Sequence, residues 1–209
     1  MAAGAWPLQV KSFILLPWLS AVCLRGPLTI RYAAQYEPRT LASQPSMSLF
    51  PAPFVPTDFI VPQRLETTEF RLRMLTVNDV VKDYDAVMTS IEHLRTIWPK
   101  SGWPDGLTFE QDLIDLGWHQ KEFQTRRSFA YTVVKPDESL VTGCVYINPT
   151  RKRDYDAAVY LWARQSELAS GMERRLHDAV RSWVRGAWPF KNVAFPGRDT
   201  SWEVWYAAE

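Results

Sequence analysis

Cysteine is scarce: Cys23 and Cys144 are the only two in 209 residues. They stand far apart and form no CxxC pair, which excludes a zinc knuckle or a dithiol redox site and gives no metal-ligand set. Such weak cysteine usage fits a reducing, cytoplasmic setting. An excess of one charge is also lacking. Twenty-four Lys and Arg face 23 Asp and Glu, for a net charge of +1, so no global field draws the chain to nucleic acid or to an anionic membrane. A long hydrophobic run is missing too. Residues 12–24 are apolar, but they fall short of the ~20 residues that span a bilayer, and Pro17 interrupts them. No HExxH, GxSxG or P-loop pattern occurs, and no internal repeat.

Tryptophan, in contrast, is abundant, with ten in the chain. That leaves two readings, a large aromatic core or an aromatic-lined cleft. The first acid is Glu37, after Lys11, Arg25 and Arg31. Residues 1–46 read as an extension outside the fold, from an upstream start codon, with a targeting segment or a structural arm as alternatives. Membrane association or export would rest on residues 12–24 alone. Residues 47–66 hold Pro51, Pro53, Pro56 and Pro62, which favour extended chain, and read as a Pro-rich strap on the domain surface. The domain proper runs over 67–209.

Within it, EFRLRMLT (69–76) alternates apolar and polar residues as a half-buried strand does. Thr76 or Asn78 can cap the helix that follows, where Val80, Val81, Tyr84, Val87, Met88, Ile91 and Leu94 recur at helical spacing. Thr108 and Gln111 form a capping-box pattern before a second helix. SFAYTVVKP and LVTGCVYINP flank a turn and form a hairpin, with Cys144 as a small buried hydrophobe within it. AAVYLWARQS is another strand, MERRLHDAVRSWVRGAW an amphipathic helix, KNVAFPGR a short strand. SWEVWY alternates like a strand. This order predicts an α+β fold: a mixed, mostly antiparallel sheet covered by helices on both faces, with one parallel pair made by the crossover through the amphipathic helix.

FRLRMLTVNDVVKDYDAV, FAYTVVKPDESLVTGCVYINP and AVYLWARQSELASGMERRLHDAVRSWV together resemble the GNAT superfamily of N-acetyltransferases over residues 67–198. The resemblance implies acetyl-CoA as acyl donor and a small-molecule or peptide amine as acceptor, attacking directly in a ternary complex. It also implies that backbone groups of Leu161, Trp162 and Ala163 pair with the pantetheine arm. The loop amides of Ser170, Gly171, Met172, Glu173 and Arg174 would then hold the pyrophosphate, as free amides at a helix start can. The family's loop reads roughly (R/Q)-x-x-G-x-(G/A), often R-G-x-G-x-G. Here Leu168 takes the basic or amide position, Ala169 the first glycine's place and Glu173 the last glycine's, so only Gly171 survives. A carboxylate at Glu173 facing an anionic ligand ~4 Å away would repel it by about 4 kcal/mol at an effective dielectric of ~20. Arg164, Arg174 and Arg175 could offset it, or form a solvated helix face.

No catalytic residue is assigned by the sequence. Glu122, Asp154, Asp156 and Glu167 are acids near segments that flank the cleft in such a fold. His93 and His119 lie on the first two helices, and His177 reads as solvent-facing. The basic triple 151–153 is a turn or a contact for the 3′-phosphate of coenzyme A. The family's leaving-group tyrosine has no secure counterpart, Tyr206 being the sole tyrosine near the end. The alternative function is a degenerate GNAT-like domain that serves as a binding or scaffolding module, with Trp202 and Trp205 exposed as the face of a homodimer.

Overall fold

The computed structural model describes residues 53–208. The expectations for residues 1–46, and for the start of the strap, lie outside that range. Among the described residues six strands form one sheet in the order β1-β2-β3-β4-β5-β6. They are β1 (Arg64–Glu66), β2 (Arg71–Met74), β3 (Phe129–Val134), β4 (Val141–Asn148), β5 (Ala157–Ala163) and β6 (Val193–Ala194). Neighbours from β1 to β5 are antiparallel, and only β5 and β6 run parallel. The helices are α1 (Val80–Met88), α2 (Ile91–Ile97), α3 (Phe109–Gln124), α4 (Met172–Ala187) and α5 (Trp202–Ala207). This is the expected α+β class, with the hairpin and the single parallel pair in their expected places.

Side chains alternate across the sheet because successive Cβ atoms point to opposite faces. Phe129, Tyr131 and Val133 of β3, Val145 and Ile147 of β4, and Val159 and Leu161 of β5 join Leu176, Val180 and Val184 of α4 in one buried cluster. Ala130, Cys144 and Trp162, from the other face, pack with Ala86, Val87, Leu94 and Leu116 of α1 to α3. Among the described residues the tryptophans serve both readings: Trp162 is fully buried, while others line a cavity described below.

The strap does more than lie on the surface. Val55 and Val61 enter the α4-side core, and residues 64–66 pair with β2 as the edge strand. Tyr131 Oη donates to the Pro62 carbonyl at 2.6 Å, and Arg126 Nη2 donates to those of Pro56 and Phe59 at 2.5 and 2.8 Å. These bonds tie the strap's backbone carbonyls to side chains of the domain.

Local chemistry sets the helix ends. Thr108 Oγ1 accepts from the Gln111 amide at 3.3 Å while Gln111 Oε1 accepts from the Thr108 amide at 2.9 Å, completing the capping box. The first helical pattern, continuous in sequence, is broken into α1 and α2. Thr89 Oγ1 donates to the Asp85 carbonyl at 2.6 Å, and buried Ser90 turns out of helical geometry with φ −128°. Such back-bonding by short hydroxyl side chains competes with helix continuation. SWEVWY is a helix, α5, not a strand: Ser201 caps it, its Oγ accepting from the Val204 amide at 3.2 Å. Among the described residues no helix is long and apolar enough to cross a membrane.

Candidate functional site: a fork and an acidic aromatic cavity

Strands β5 and β6 pair only at Ala157↔Val193 and Ala158↔Ala194. Beyond that point the chain after β6 turns away through Pro196 and Gly197, and a fork opens beside Tyr160 and Leu161. The space in it, about 200 Å³, is bounded by His93, Thr96 and Ile97 of α2, by Glu173 of α4 and by Arg198 and Trp202. The α4 N-terminus stands at its mouth. Gly171 adopts φ +75°, a left-handed conformation that costs most residues free energy and costs glycine little, and it joins the 3₁₀ turn Gln165–Ser170 to α4. It is the surviving glycine of the sequence pattern.

The predicted site residues fall as follows. Leu161, Trp162 and Ala163 lie on β5 with buried side chains, and the Leu161 carbonyl faces the fork, where it accepts from Arg198 Nη2 at 3.0 Å. Ser170 Oγ donates to the Glu167 carbonyl at 2.7 Å and accepts from the Met172 amide at 3.3 Å. Met172 is buried against the α4-side core. Arg174 is exposed. Arg175 pairs with Glu69 at 2.7 Å, and Arg164 with Asp85 at 2.6 Å, so neither stands free to offset a charge in the loop.

Glu173 is not left to repel a ligand alone. Its Oε1 accepts from Arg198 Nη2 at 2.5 Å and lies 3.2 Å from His93 Nε2. Burial by itself would raise this carboxyl, but the His93 hydrogen bond and the Arg198 charge outweigh it and hold it below the ordinary glutamate range. A single guanidinium group therefore ties the α4 start to the β5 carbonyl edge, across the fork. His93 is a candidate by sequence, but its contact with Glu173 is not legible there, nor is Arg198, because they stand 80 and 25 residues from Glu173.

On the helix-covered face, a cavity of about 420 Å³ opens between α1, α3 and the strands β4 and β5. Asp83 of α1 and Asp112, Asp115 and His119 of α3 supply its acids and its imidazole, beside the polar Ser101 and Asn148. Trp98, Trp103, Tyr146 and Tyr160 supply aromatic walls. Trp98 sits edge-on to Trp103 at 5.1 Å and near Tyr146 and Tyr160 at 6.1 and 6.3 Å. Asp83 and Asp112 are each only 4% exposed. Burial, and then the nearby Asp112 charge, push the Asp83 carboxyl up to about 7; burial, and then Asp115, push Asp112 up to about 6. Burial drives the His119 pKa down, so its imidazole is neutral at pH 7. Burial raises the Tyr160 phenol, which stays protonated.

These acids are not the ones the sequence nominated. Glu122 faces Arg127 at 3.8 Å, and Glu167 faces Lys135 at 3.8 Å. Asp156 accepts from the Lys191 and Asn192 amides at 2.7 and 2.9 Å, fixing the entry to β6. Asp154 lies at a separate depression near Arg181 and Arg185. His177 is not solvent-facing; its side chain is 14% exposed and its ring meets Phe195 edge-on. Trp205 is buried at 8% exposure and Trp202 stacks between Tyr160 and Tyr206, so neither offers the open face expected of them. Cys144 is buried, as read, with its Sγ 3.5 Å from Asp83 Oδ1.

The raised carboxyls make stability pH-dependent. Both folded values lie above the ordinary 3.8, so the folded chain keeps protons that the unfolded chain releases. This contribution is complete below about pH 4 and is lost as pH rises through 6 to 7, on the order of 7 kcal/mol at most, about 4 of it between pH 5 and pH 8. Urea midpoints at pH 5 and pH 8 should show the loss, and Asp83→Asn should flatten most of it. A wild-type curve rising over that interval would contradict this.

No protein-family model matches the chain, and no curated protein matches it. Among solved structures it is similar to ribosomal-protein-S5-alanine acetyltransferase from Vibrio fischeri, with 19% identity and a TM-score of 0.48 over 58% of this chain and 66% of that one, just under two thirds of its length. It is similar to the Salmonella typhimurium acetyltransferase that modifies the N-terminal serine of ribosomal protein L7/L12, with 14% identity and a TM-score of 0.47 over 58% and 68%. A Thermus thermophilus acetyltransferase gives 17% identity and a TM-score of 0.44 over 59% and 74%. Each of these is described as an acetyltransferase, and the likeness is one of fold at identities of 19% or less.

Proposed function

We propose that the chain is a GNAT-type N-acetyltransferase that binds acetyl-CoA in the β5–β6 fork and an amine acceptor in the acidic aromatic cavity. One observation carries the reading: Tyr160 lines both spaces, so a ligand in each would meet at this side chain. The residues of the fork fit the donor. The amides of Glu173 and Arg174, in the first turn of α4, have no intrahelical carbonyl to bond and suit a diphosphate. The Leu161 carbonyl suits an amide of the pantetheine arm once Arg198 lets go of it. Acetyl-CoA would supply a thioester, whose C–S bond breaks as the amine nitrogen forms the new C–N bond.

The remaining work belongs to protein groups. An amine arrives largely as ammonium at neutral pH and must lose a proton before its lone pair can attack. Asp83 and Asp112, with proton affinities raised toward neutrality, are suited to accept it. Tyr160 holds its proton and stands where the two spaces join, so it is the group to protonate the departing thiolate. The products are the N-acetylated amine and free coenzyme A. Tyr160→Phe is expected to lower kcat about a hundredfold with little change in KM for acetyl-CoA; an equal kcat would remove Tyr160 from this role. Calorimetric titration of acetyl-CoA into the native chain should show saturable binding, and no heat at millimolar donor would refute the proposal.

A second reading is favoured by the Arg198 bridge. Arg198 occupies the Leu161 carbonyl and ties Glu173 across the fork, as it would in a domain that has given up the donor and serves as a binding or scaffolding module. The same titration separates the two readings, since that module would take no acetyl-CoA.

A further inference from the structure

We propose that the cavity between α1, α3 and the β4–β5 strands takes a small organic ammonium ion, with its charge held by Asp83 and Asp112 and its apolar body against Trp98, Tyr146 and Tyr160. That this ion is the acyl acceptor rests on the transfer proposed above; that it binds does not.

The sign of the site comes first. Asp83, Asp112 and Asp115 all line the cavity, and among the described residues neither lysine nor arginine does. His119 brings no positive charge at pH 7. An anionic ligand would meet uncompensated carboxylates, while a cation would complete them.

The second observation is an unmet need. Asp112 is 4% exposed, and among the described residues its Oδ2 has no hydrogen-bond partner. A buried carboxylate oxygen without a donor is costly, and native proteins leave few such atoms. The N–H groups of an ammonium ion supply that donor. A metal ion suits the site less well. Among the described residues, no three His, Cys, Asp or Glu side chains are grouped to hold one.

The third observation is the wall. Trp98 packs near Tyr146 and Tyr160, and Tyr146 lies 5.1 Å from the His119 ring. Aromatic faces attract ammonium ions through their quadrupoles and bury apolar carbon equally well. Acidic depth with aromatic sides selects a cation that carries a hydrophobic body over a bare ion or a sugar. A volume of about 420 Å³ falls within the range of small-molecule sites.

The test uses the native chain without acetyl-CoA. Phenethylamine, a cation at pH 7.5, and 2-phenylethanol, its neutral counterpart, are titrated while tryptophan fluorescence is followed. The amine should bind at least about tenfold more tightly than the alcohol. Asp112→Asn should weaken the amine about tenfold and leave the alcohol unchanged, and Trp98→Ala should weaken both. Equal binding of amine and alcohol, no binding of the amine up to about 10 mM, or full amine affinity in a folded Asp112→Asn variant would each overturn the proposal. The amine–alcohol comparison needs no variant, so it decides even if a substitution fails to fold. Should the amine bind while acetyl-CoA does not, this inference stands and the transfer reading falls.

Discussion

Gly143→Ala is expected to leave the chain at least about 3 kcal/mol less stable, or unfolded. Gly143 lies on β4 opposite Ala163 of β5. A Cβ atom there would sit 2.1 Å from the Trp162 carbonyl oxygen and 3.2 Å from the Ala163 Cα. Both are backbone atoms, so no change of rotamer relieves the clash, and the strands themselves must part. They would part where the fully buried Cys144 and Trp162 pack between sheet and helices, and where the Arg164 amide donates to the Thr142 carbonyl at 2.7 Å. The damage would therefore reach both the core and the lead into the loop before α4. Gly102 gives the control, since a Cβ there meets nothing within 4 Å. Urea denaturation should separate the two variants widely, and a loss under about 1 kcal/mol for Gly143→Ala would contradict the argument.

Glu173→Gln should tighten acetyl-CoA binding about tenfold or more, and Arg198→Ala should weaken it. In the native chain, Arg198 spends its charge on Glu173 and one N–H on the Leu161 carbonyl. Glutamine removes the carboxylate from the α4 N-terminus, so the partial positive charge of that helix end acts on a diphosphate unopposed. It also frees the guanidinium to pair with a phosphate. Removing Arg198 instead leaves Glu173 with His93 alone, facing the same diphosphate. The opposite signs carry the test. Were Arg198 only a plug, both substitutions would open the fork and both would tighten binding. Titration calorimetry on the two variants reads this directly.

Much of the fold was legible because its patterns are local. The alternation of Phe70, Leu72 and Met74, the Thr108–Gln111 capping pair and the apolar stripe from Met172 to Val184 each specify an element by their own spacing. The α5 segment was misread because six residues satisfy either period, and only Ser201, a good cap, spoke for a helix. The break between α1 and α2 hid in Thr89 and Ser90, whose hydroxyls act through bonds that no periodicity records. Ser90 Oγ even reaches the Gln165 amide, at 3.0 Å.

The site was far less legible. Glu173 looked like a charge facing an anion, since its partners come from α2 and from the turn after β6. Asp83 and Asp112 carry no local signal of a site, being acids on helices among many others. What buries them is the packing of α1 against α3 over β4, a tertiary event. Tyr160 was one aromatic among many until the fork and the cavity were seen to share it.

Acetyl transfer by this chain requires the fork between β5 and β6 to accept a thioester donor beside Tyr160. A crystal structure of the chain with coenzyme A tests this most directly. The predicted result is a pantetheine arm lying between the two strands, with Arg198 drawn off the Leu161 carbonyl and the diphosphate at the start of α4. A structure grown at saturating coenzyme, with the Arg198 bridge intact and the fork free of ligand, would contradict it.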